Sequence, residues 1–299
     1  MSLKLNWVNP NGAVDSITIY RSQSKIDPVN LPEPLATLPG AATSYTDTTA
    51  TRNTLYYYVI AVKKGDEVAL TNNRALAYMP YVGPGPQSIV RGDYEYGYMG
   101  SMPLEDLASA QEFYNLFGFT SGTVTTGSIS VFKVIVKCKI YYLPNLNFVN
   151  SVNFDALYKL GLVFGMEDFS QHAFGQSLIT RLGNVPQKRL FTKGEHQFVV
   201  RLPTSRLNHG VVDSNTTEYY GGEWDTIYGP LLLNREVKYN PLQMADYFNS
   251  NEYILTSDAH SNNTNAIVRG STTGDRVTNL AVASNSSTTG WRPFIELVV

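Results

Sequence analysis

The residues of this chain that could do chemistry lie mostly in its last third. Glu223 and Asp225 flank Trp224 directly after a Gly-Gly pair, and two arginines follow further along. Acid–base hydrolysis of a glycosidic bond requires two carboxylates placed around a cleft. A structural role is the alternative, because a carboxylate also accepts strong hydrogen bonds from backbone N–H groups or from arginine. We predict no catalytic residue and a structural anchor composed of Glu223, Trp224, Arg269, Trp291 and Arg292.

Each arginine of this anchor has an expected role. Arg269 precedes a glycine and is predicted to pair with Glu223 or Glu296, while Arg292 is predicted to stack or bridge at the terminal strand. Burying such charges unpaired would cost several kcal/mol, so we expect them to be paired. The two tryptophans are expected to share one cluster that holds the end of the chain, which would otherwise fray.

No set of residues has the spacing of a metal site. Cys138 is the only cysteine, so no cysteine pair is available for a disulfide or a zinc site. The four scattered histidines are His172, His196, His209 and His260. Calcium is conceivable at carboxylates in polar segments, which are Asp213, Glu218, Asp246 and Asp258. We predict neither a metal nor a cofactor.

Composition excludes several classes of function. The net charge is -2 and charged residues make up 16% of the chain, so no electrostatic footprint for nucleic acid is visible. No apolar run approaches the roughly 18–20 residues of a membrane span, and no apolar signal segment is apparent. Gly83-Pro84-Gly85 looks like a phosphate-binding loop, but its proline removes an amide that would hold phosphate.

Residues 1–79 are predicted to form short β-strands separated by turns. Alternation of apolar and polar residues begins at Leu3 and is closed by the turn signal at residues 9–12. The strand richest in aromatic and branched residues covers residues 55–62, and residues 63–66 make a hairpin after it. The other strands are predicted at residues 16–21, 35–38, 44–48 and 67–70.

Residues 80–88 are predicted to be a linker, because alternating glycine and proline disfavour both helix and sheet. Residues 89–299 then read as one mixed domain, in which the polar stretch 256–289 would form long loops. Cys138 is expected on the same face of a strand as Val134 and Val136, as a small buried hydrophobe. The predicted strands cover residues 130–143, 197–202 and 291–298, and the predicted helices cover 104–117, 153–160 and 241–249.

The pattern of residues 1–79 resembles a fibronectin type III β-sandwich. Trp7 matches the core tryptophan of an early strand, residues 20–22 the following strand, and residues 45–47 the strand before the corner. Tyr56-Tyr57-Tyr58 matches the corner and the strand after it. The resemblance implies a buried Trp7 in an independent core. The first strand of such a sandwich would be absent or very short, leaving a sheet edge that another chain could cover.

Three short motifs of the C-terminal region carry a second resemblance. They are Gly221-Gly222-Glu223-Trp224-Asp225, then Val268-Arg269-Gly270-Ser271, then Gly290-Trp291-Arg292-Pro293. This order resembles the C-type-lectin-like fold in its formylglycine-generating-enzyme variant. The chain is more similar still to C-terminal domains of tailed-bacteriophage virion proteins, which finish on Gly-Trp-Arg-Pro-x-x-Glu-Leu. The copper-binding cysteines of the enzyme and the calcium-binding triplets of sugar-binding lectins have no counterpart here.

We therefore predict a mostly β fold with some α. A fibronectin III or Ig-like β-sandwich (1–79) and the linker (80–88) precede a larger α+β, C-type-lectin-like domain with long loops (89–299). The resemblance implies a structural component of a tailed-phage virion, on the tail, collar or capsid, assembled in the host cytoplasm. Its expected partners are other virion proteins, in multiple copies, and a host surface glycan or protein, without nucleic acid or membrane insertion. The alternatives are a glycan-acting enzyme and a bacterial surface adhesin.

Overall fold

The structure is a computed structural model that describes residues 2–10, 12–169, 173–205, 221–228, 253–259, 265–270, 276–281 and 289–298. The fold is mostly β with some α, as predicted, with largely antiparallel sheets and short helices. The chain divides into two compact units. The first comprises residues 1–82 together with 92–97 and 135–138, and the second comprises 83–91, 98–134 and 139–299. No helix in these described ranges is long and apolar enough to span a membrane.

The first unit is built from two facing β-sheets. Its strands are β1 (Leu3–Asn6), β2 (Ser16–Ser22), β3 (Pro34–Pro39), β4 (Ser44–Asp47), β5 (Leu55–Lys64), β6 (Glu67–Leu70) and β7 (Arg74–Ala77). One sheet pairs β1 with β4, and the other has the order β3-β2-β5-β6, with β7 also pairing β5. The predicted hairpin is confirmed, since Gly65 turns β5 into β6 with a φ of 60°. Strand β7 was not predicted.

The core of this unit lies between the two sheets. Its buried residues are Leu3, Leu5, Ile19, Ala50, Tyr56 and Tyr58. Trp7 packs at the rim of this core and is only half-buried, which corrects the expectation of a buried tryptophan. Trp7 lies just beyond β1, and its sheet has two strands in the described part of the chain. The loss of stability on Trp7→Ala should therefore be below the roughly 3–5 kcal/mol typical of a buried aromatic.

A buried carboxylate ties β4 to the opposite sheet. Asp47 is fully buried and accepts hydrogen bonds from Arg21 Nη1 and Tyr58 Oη, both at 2.7 Å, and from the backbone N–H and Oγ1 of Thr49. Burial opposes the charge of Asp47, but these hydrogen bonds outweigh it and hold its pKa below the ordinary value. The ionised carboxylate therefore stabilises the folded first unit.

We expect Asp47→Asn to destabilise the first unit by about 1.5–3 kcal/mol at neutral pH, because it removes a charged acceptor from buried donors. The pKa of Asp47 is lower in the folded state than in the unfolded state. The stabilisation by ionised Asp47 is thus complete when the pH is above its unfolded-state pKa of about 4. It is lost as the pH falls through the folded-state pKa. Urea unfolding should show the two proteins converging in acid. Asp66→Asn, in the exposed β5–β6 turn, is the control, and an Asp47→Asn protein of wild-type stability at pH 7 would contradict the assignment.

The other elements form two larger sheets and a set of short helices. The strands are β8 (Arg91–Gly92), β9 (Tyr96–Pro103), β10 (Thr123–Val124), β11 (Ser130–Val136), β12 (Lys139–Pro144), β13 (Val149–Asn150), β14 (Arg189–Lys193), β15 (His196–Arg201), β16 (Tyr253–Ala259), β17 (Asn265–Gly270), β18 (Arg276–Ala281), β19 (Thr289–Trp291) and β20 (Phe294–Val298). A 3₁₀ turn (Leu104–Asp106) precedes α1 (Ala110–Phe117), and α2 (Phe154–Lys159) and α3 (Ala173–Leu182) follow. Among the described residues the sheet orders are β14-β15-β20-β12-β11-β9-β8 and β10-β13-β19-β16-β17-β18.

The end of the chain takes part in both of these sheets. Strand β20 lies between β15 and β12, and β19 lies between β13 and β16. Arg292 and Pro293 separate the two strands, so the predicted continuous strand 291–298 is interrupted at this point. Gly290 is required by packing, because a Cβ atom there would lie 2.3 Å from the side-chain nitrogen of Asn147. The last ten described residues therefore connect the two sheets.

The predicted strand 130–143 is a hairpin rather than one strand. Lys137 and Cys138 form the turn between β11 and β12, and both have a positive φ, 47° and 65°. The turn was missed because neither residue type favours a left-handed conformation.

Cys138 does not lie in a strand, but it is buried as expected, and burial raises the pKa of its thiol to about 11. A protonated, buried thiol is unreactive.

Other predictions of elements had mixed outcomes. Strand 197–202 and helix 153–160 are confirmed by β15 and α2, and Asn153 caps α2 by accepting from the N–H of Ala156 at 2.8 Å. Helix 104–117 is correct only in its second half, where Ser109 and Glu112 form a capping box. The long loop predicted at 256–289 is wrong in the described part, which holds most of β16 together with β17 and β18. Helix α3 was not foreseen, and the helix predicted at 241–249 lies outside the described residues.

The glycine–proline segment predicted as a linker is held by side chains of the second unit over residues 83–87. The ammonium of Lys133, fully buried on β11, donates to the carbonyl oxygens of Gly83, Pro84 and Pro86 at 3.2, 2.9 and 2.6 Å. Tyr142 Oη donates to the carbonyl of Pro84 at 2.9 Å. Burial lowers the pKa of Lys133 to about 8. Composition alone did not reveal these hydrogen bonds.

Candidate functional site

The Glu-Trp-Asp motif lies on a short turn docked against the end of β15. A π-helical turn covers Trp224–Tyr228, and Gly221 before it has a φ of 93°. The backbone N–H of Trp224 donates to the carbonyl of Thr204 at 2.9 Å. The N–H of Glu223 donates to Thr204 Oγ1 at 3.0 Å, and the N–H of Thr204 donates back to Glu223 Oε2 at 3.1 Å. These reciprocal bonds fix the orientation of the Glu223 carboxylate.

The cation that binds Glu223 is Arg201, the last residue of β15. Its two terminal nitrogens donate to the two carboxylate oxygens of Glu223 at 2.6 and 2.5 Å, the bidentate geometry of a strong ion pair. Nη2 of Arg201 also lies 3.3 Å from Glu296 Oε2, and Lys139 donates to the other oxygen of Glu296 at 2.9 Å. The guanidinium lies near the rings of Tyr141 and Phe294, at 5.9 and 5.5 Å from their centroids. We call Arg201, Glu223 and Glu296 the ionic lock.

The electrostatics of the ionic lock favour its charged form. The side chain of Arg201 is 11% exposed, and those of Glu223 and Glu296 are 21% and 18% exposed. Burial alone would lower the pKa of Arg201, but attraction to the two carboxylates and hydrogen bonding to Glu223 outweigh it and raise the pKa above its ordinary value. Burial, reinforced by Glu296, also raises the pKa of Tyr141, so that phenol stays neutral. The lock joins β15, β20 and the Glu-Trp-Asp turn.

The second arginine of the region has a different partner from the one predicted. Arg269, on β17 and 1% exposed, forms a short hydrogen-bonded ion pair with Asp225. Its guanidinium lies 5.9 Å from the ring centroid of the fully buried Trp224. Oδ2 of Asp225 accepts the backbone N–H of Gly221 at 2.8 Å. The Glu-Trp-Asp turn is thus held at Glu223 by one arginine and at Asp225 by another.

Trp291 lies in an aromatic cluster of the second unit. Its fully buried ring is 5.8, 5.1 and 5.6 Å from the ring centroids of Phe117, Phe119 and Phe148. Arg292 is 1% exposed and donates from Nε to Asn147 Oδ1 at 3.2 Å. The carbonyl of Trp291 accepts the N–H of Phe148 at 2.8 Å. The strand that ends the chain is therefore anchored at both its aromatic and its cationic residue.

The structure differs from the sequence prediction in how these residues are paired. Arg269 or Arg292 was expected to bind Glu223, but within the described ranges Arg201 does so. The two tryptophans were expected in one cluster; Trp291 packs against Phe117, Phe119 and Phe148 and Trp224 lies beside Arg269, so the shared cluster stays a prediction. Arg201 was missed because an arginine at the end of a strand is common and its partners are 22 and 95 residues away. The strand pattern gave no signal for Arg201, because Phe198, Val199 and Val200 are all apolar and do not alternate with polar residues.

Both carboxylates of the Glu-Trp-Asp motif are engaged in contacts within the protein. A general acid or base must reach the substrate, and both Glu223 and Asp225 are bound to an arginine and to backbone N–H groups. Within the described residues no group of three or more His, Cys, Asp or Glu could hold a metal ion. Of the candidate calcium ligands, Asp258 is buried and accepts the N–H of Ser205 at 2.5 Å. The other three, and all histidines except His196, lie outside the described residues.

Comparison with known proteins adds little to this picture. No family model matches the chain, and no curated protein matches it. Among solved structures, the chain is similar over part of its length to pectate lyase Pel3 from Pectobacterium carotovorum, at 22% sequence identity. The match covers 31% of this chain and 28% of the lyase, with a TM-score of 0.23. A similarity at that level carries no argument about fold or activity.

Proposed function

We propose that this protein is a structural component of a tailed-bacteriophage virion. Its second unit would be a C-type-lectin-like domain that contacts neighbouring virion proteins or a host surface. The observation that carries the proposal is the use of the Glu-Trp-Asp and Gly-Trp-Arg motifs as internal anchors. Both carboxylates of the first motif are bound to arginines, and Trp224 and Trp291 are fully buried. These are the motifs on which the resemblance to phage virion domains rests.

A robust anchor of the terminal strand suits a protein that must keep its shape on a particle. The ionic lock and the aromatic cluster hold β19 and β20, which connect two sheets. Loops carried by such a framework can vary without loss of the fold, which is how binding surfaces are commonly built. The location would be the tail, collar or capsid, after assembly in the host cytoplasm.

The test is to locate the protein on particles. An antiserum raised against the purified protein should label intact virions of the phage that encodes it, in immunogold electron microscopy, at a repeated position. Preimmune serum is the control. Particles without label, together with label in extracts of infected cells, would refute the proposal.

The glycan-acting enzyme is the alternative with a specific observation to weigh. Its candidate carboxylates, Glu223 and Asp225, are 21% and 25% exposed in their side chains, but both are bound to arginine. We therefore expect no release of reducing ends from host surface polysaccharides. Measurable release that is abolished by Glu223→Gln or Asp225→Asn, in proteins with wild-type melting curves, would establish the enzyme instead.

A further inference from the structure

The first unit has an exposed sheet edge at β6. Among the described residues strand β6 pairs with β5 alone, and all four of its residues are exposed, with Val68 at 58%. At the opposite edge of the same sheet, β3 begins and ends with Pro34 and Pro39, which have no N–H to offer a further strand. Strand β6 contains no proline. We call residues 67–74, which cover β6, the connection after it and the start of β7, the β6 edge.

The β6 edge is held in place before any partner arrives. The N–H of Gly65 in the preceding turn donates to Asp15 Oδ2 at 2.6 Å, and the N–H of Asp15 donates to the carbonyl of Lys63 at 2.8 Å. After β6, the N–H of Thr71 donates to the carbonyl of Ile60 at 2.9 Å. A pre-organised edge loses little conformational entropy on binding, so more of the contact energy appears as affinity.

An open groove lies beside this edge. It has a volume of about 620 Å³ and is lined by Val14, Val62, Lys64, Glu67, Val68 and Ala69. Its walls combine four aliphatic residues with one residue of each charge sign. Exposed strand edges are sites where another chain can add a strand.

The two ends of the β6 edge carry opposite charges. Glu67 pairs in register with Lys64 of β5, and Arg74 pairs with Tyr58. Residues 64 and 58 are an even number apart on β5, so Glu67 and Arg74 lie on the same face of the sheet, about 20 Å apart at roughly 3.4 Å per residue. Both residues are exposed, and the side chain of neither forms an ion pair with a described residue.

We propose that the β6 edge binds the β6 edge of a second copy of this chain in an antiparallel, two-fold symmetric pair. The two-fold axis places Glu67 against Arg74 of the partner subunit and repeats the same contact at the other end. A parallel pairing would instead place like charges opposite each other, which is unfavourable. The charges at the two ends of the β6 edge complement those of an identical, antiparallel edge. They therefore favour a second copy over a strand from an unrelated protein.

The pair formed this way is weak in dilute solution. A short strand and its groove bury less than the roughly 1,200 Å² of a standard stable interface. Copies held side by side on a larger assembly would have a much higher effective concentration, and the contact would then form.

Sedimentation equilibrium of the full-length protein tests the proposal. At low salt, the average mass should rise from that of a monomer toward that of a dimer between about 10 μM and 1 mM. Glu67→Arg should weaken association at least tenfold, and so should Arg74→Glu, because each places like charges across both contacts. The double variant Glu67→Arg/Arg74→Glu should restore association, since the swapped charges again face opposite partners.

Glu105→Arg, an exposed change of the same kind in the second unit, is the matched control and should leave association unchanged. Restoration by the double swap excludes a folding defect as the cause of the single-variant losses. A protein that stays monomeric up to about 1 mM would overturn the inference, as would a dimer unaffected by either single swap. Neither result would bear on the immunogold test of the proposed function.

Discussion

Truncation of the chain after residue 288 is expected to abolish the cooperative unfolding transition of the second unit. The deletion removes β19 and β20 and therefore takes one interior strand out of each of two sheets. It also removes Trp291 from its cluster with Phe117, Phe119 and Phe148, and Glu296 from the ionic lock. Loss of the Trp291 ring alone should cost about 3–5 kcal/mol. Whole domains are stable by only about 5–15 kcal/mol, so the combined loss exceeds what the second unit can sustain.

Differential scanning calorimetry is the measurement for this truncation. The first unit has a hydrophobic core of its own and should keep its transition. Truncation after Leu297 is the control, because Val298 is 41% exposed and forms only the last pair of β20, with Gln197. That protein should lose about 1 kcal/mol or less. A chain ending at residue 288 that kept the larger transition would show that the terminal strands are peripheral.

The Arg201→Met substitution is expected to cause the second large loss of stability. The change leaves Glu223 and Glu296 largely buried without their shared cation, which typically costs about 3–5 kcal/mol. Methionine keeps most of the aliphatic stem, so the loss reports mainly on charge and hydrogen bonding. Chemical denaturation followed by tryptophan fluorescence should report it, because Trp224 is adjacent to Glu223.

Two companion variants make the Arg201 prediction specific. Lys139→Met removes the exposed cation that also binds Glu296 and should cost no more than about 1 kcal/mol, because the Lys139 side chain is 62% exposed. Arg201→Met combined with Glu223→Gln should recover part of the loss, since the second change neutralises the carboxylate left alone. Stability of Arg201→Met within about 1 kcal/mol of the wild type would mean that the lock contributes little.

Local sequence determined the elements whose signals lie within a few residues. The hairpin of β5 and β6 follows from Gly65, which adopts a left-handed conformation without steric cost, and from the alternation on either side. Helix α2 follows from Asn153, whose side chain satisfies a free N–H of the first turn. Four residues that the sequence singled out are each at most 1% exposed, namely Trp224, Arg269, Trp291 and Arg292.

Tertiary structure decided which charges pair and which polar segments become strands. Arg201 binds Glu296, 95 positions away, because β15 and β20 are adjacent, and it binds Glu223 because the Glu-Trp-Asp turn docks at Thr204. Strands β16 to β18 lie in a segment rich in Ser, Thr and Asn, where hydrogen bonding to neighbouring strands overrides weak local preference. Lys137 and Cys138 likewise accept left-handed conformations because the strands on both sides are fixed. Local patterns could indicate that the charged residues would be paired, but only the pairing of the sheets selects their partners.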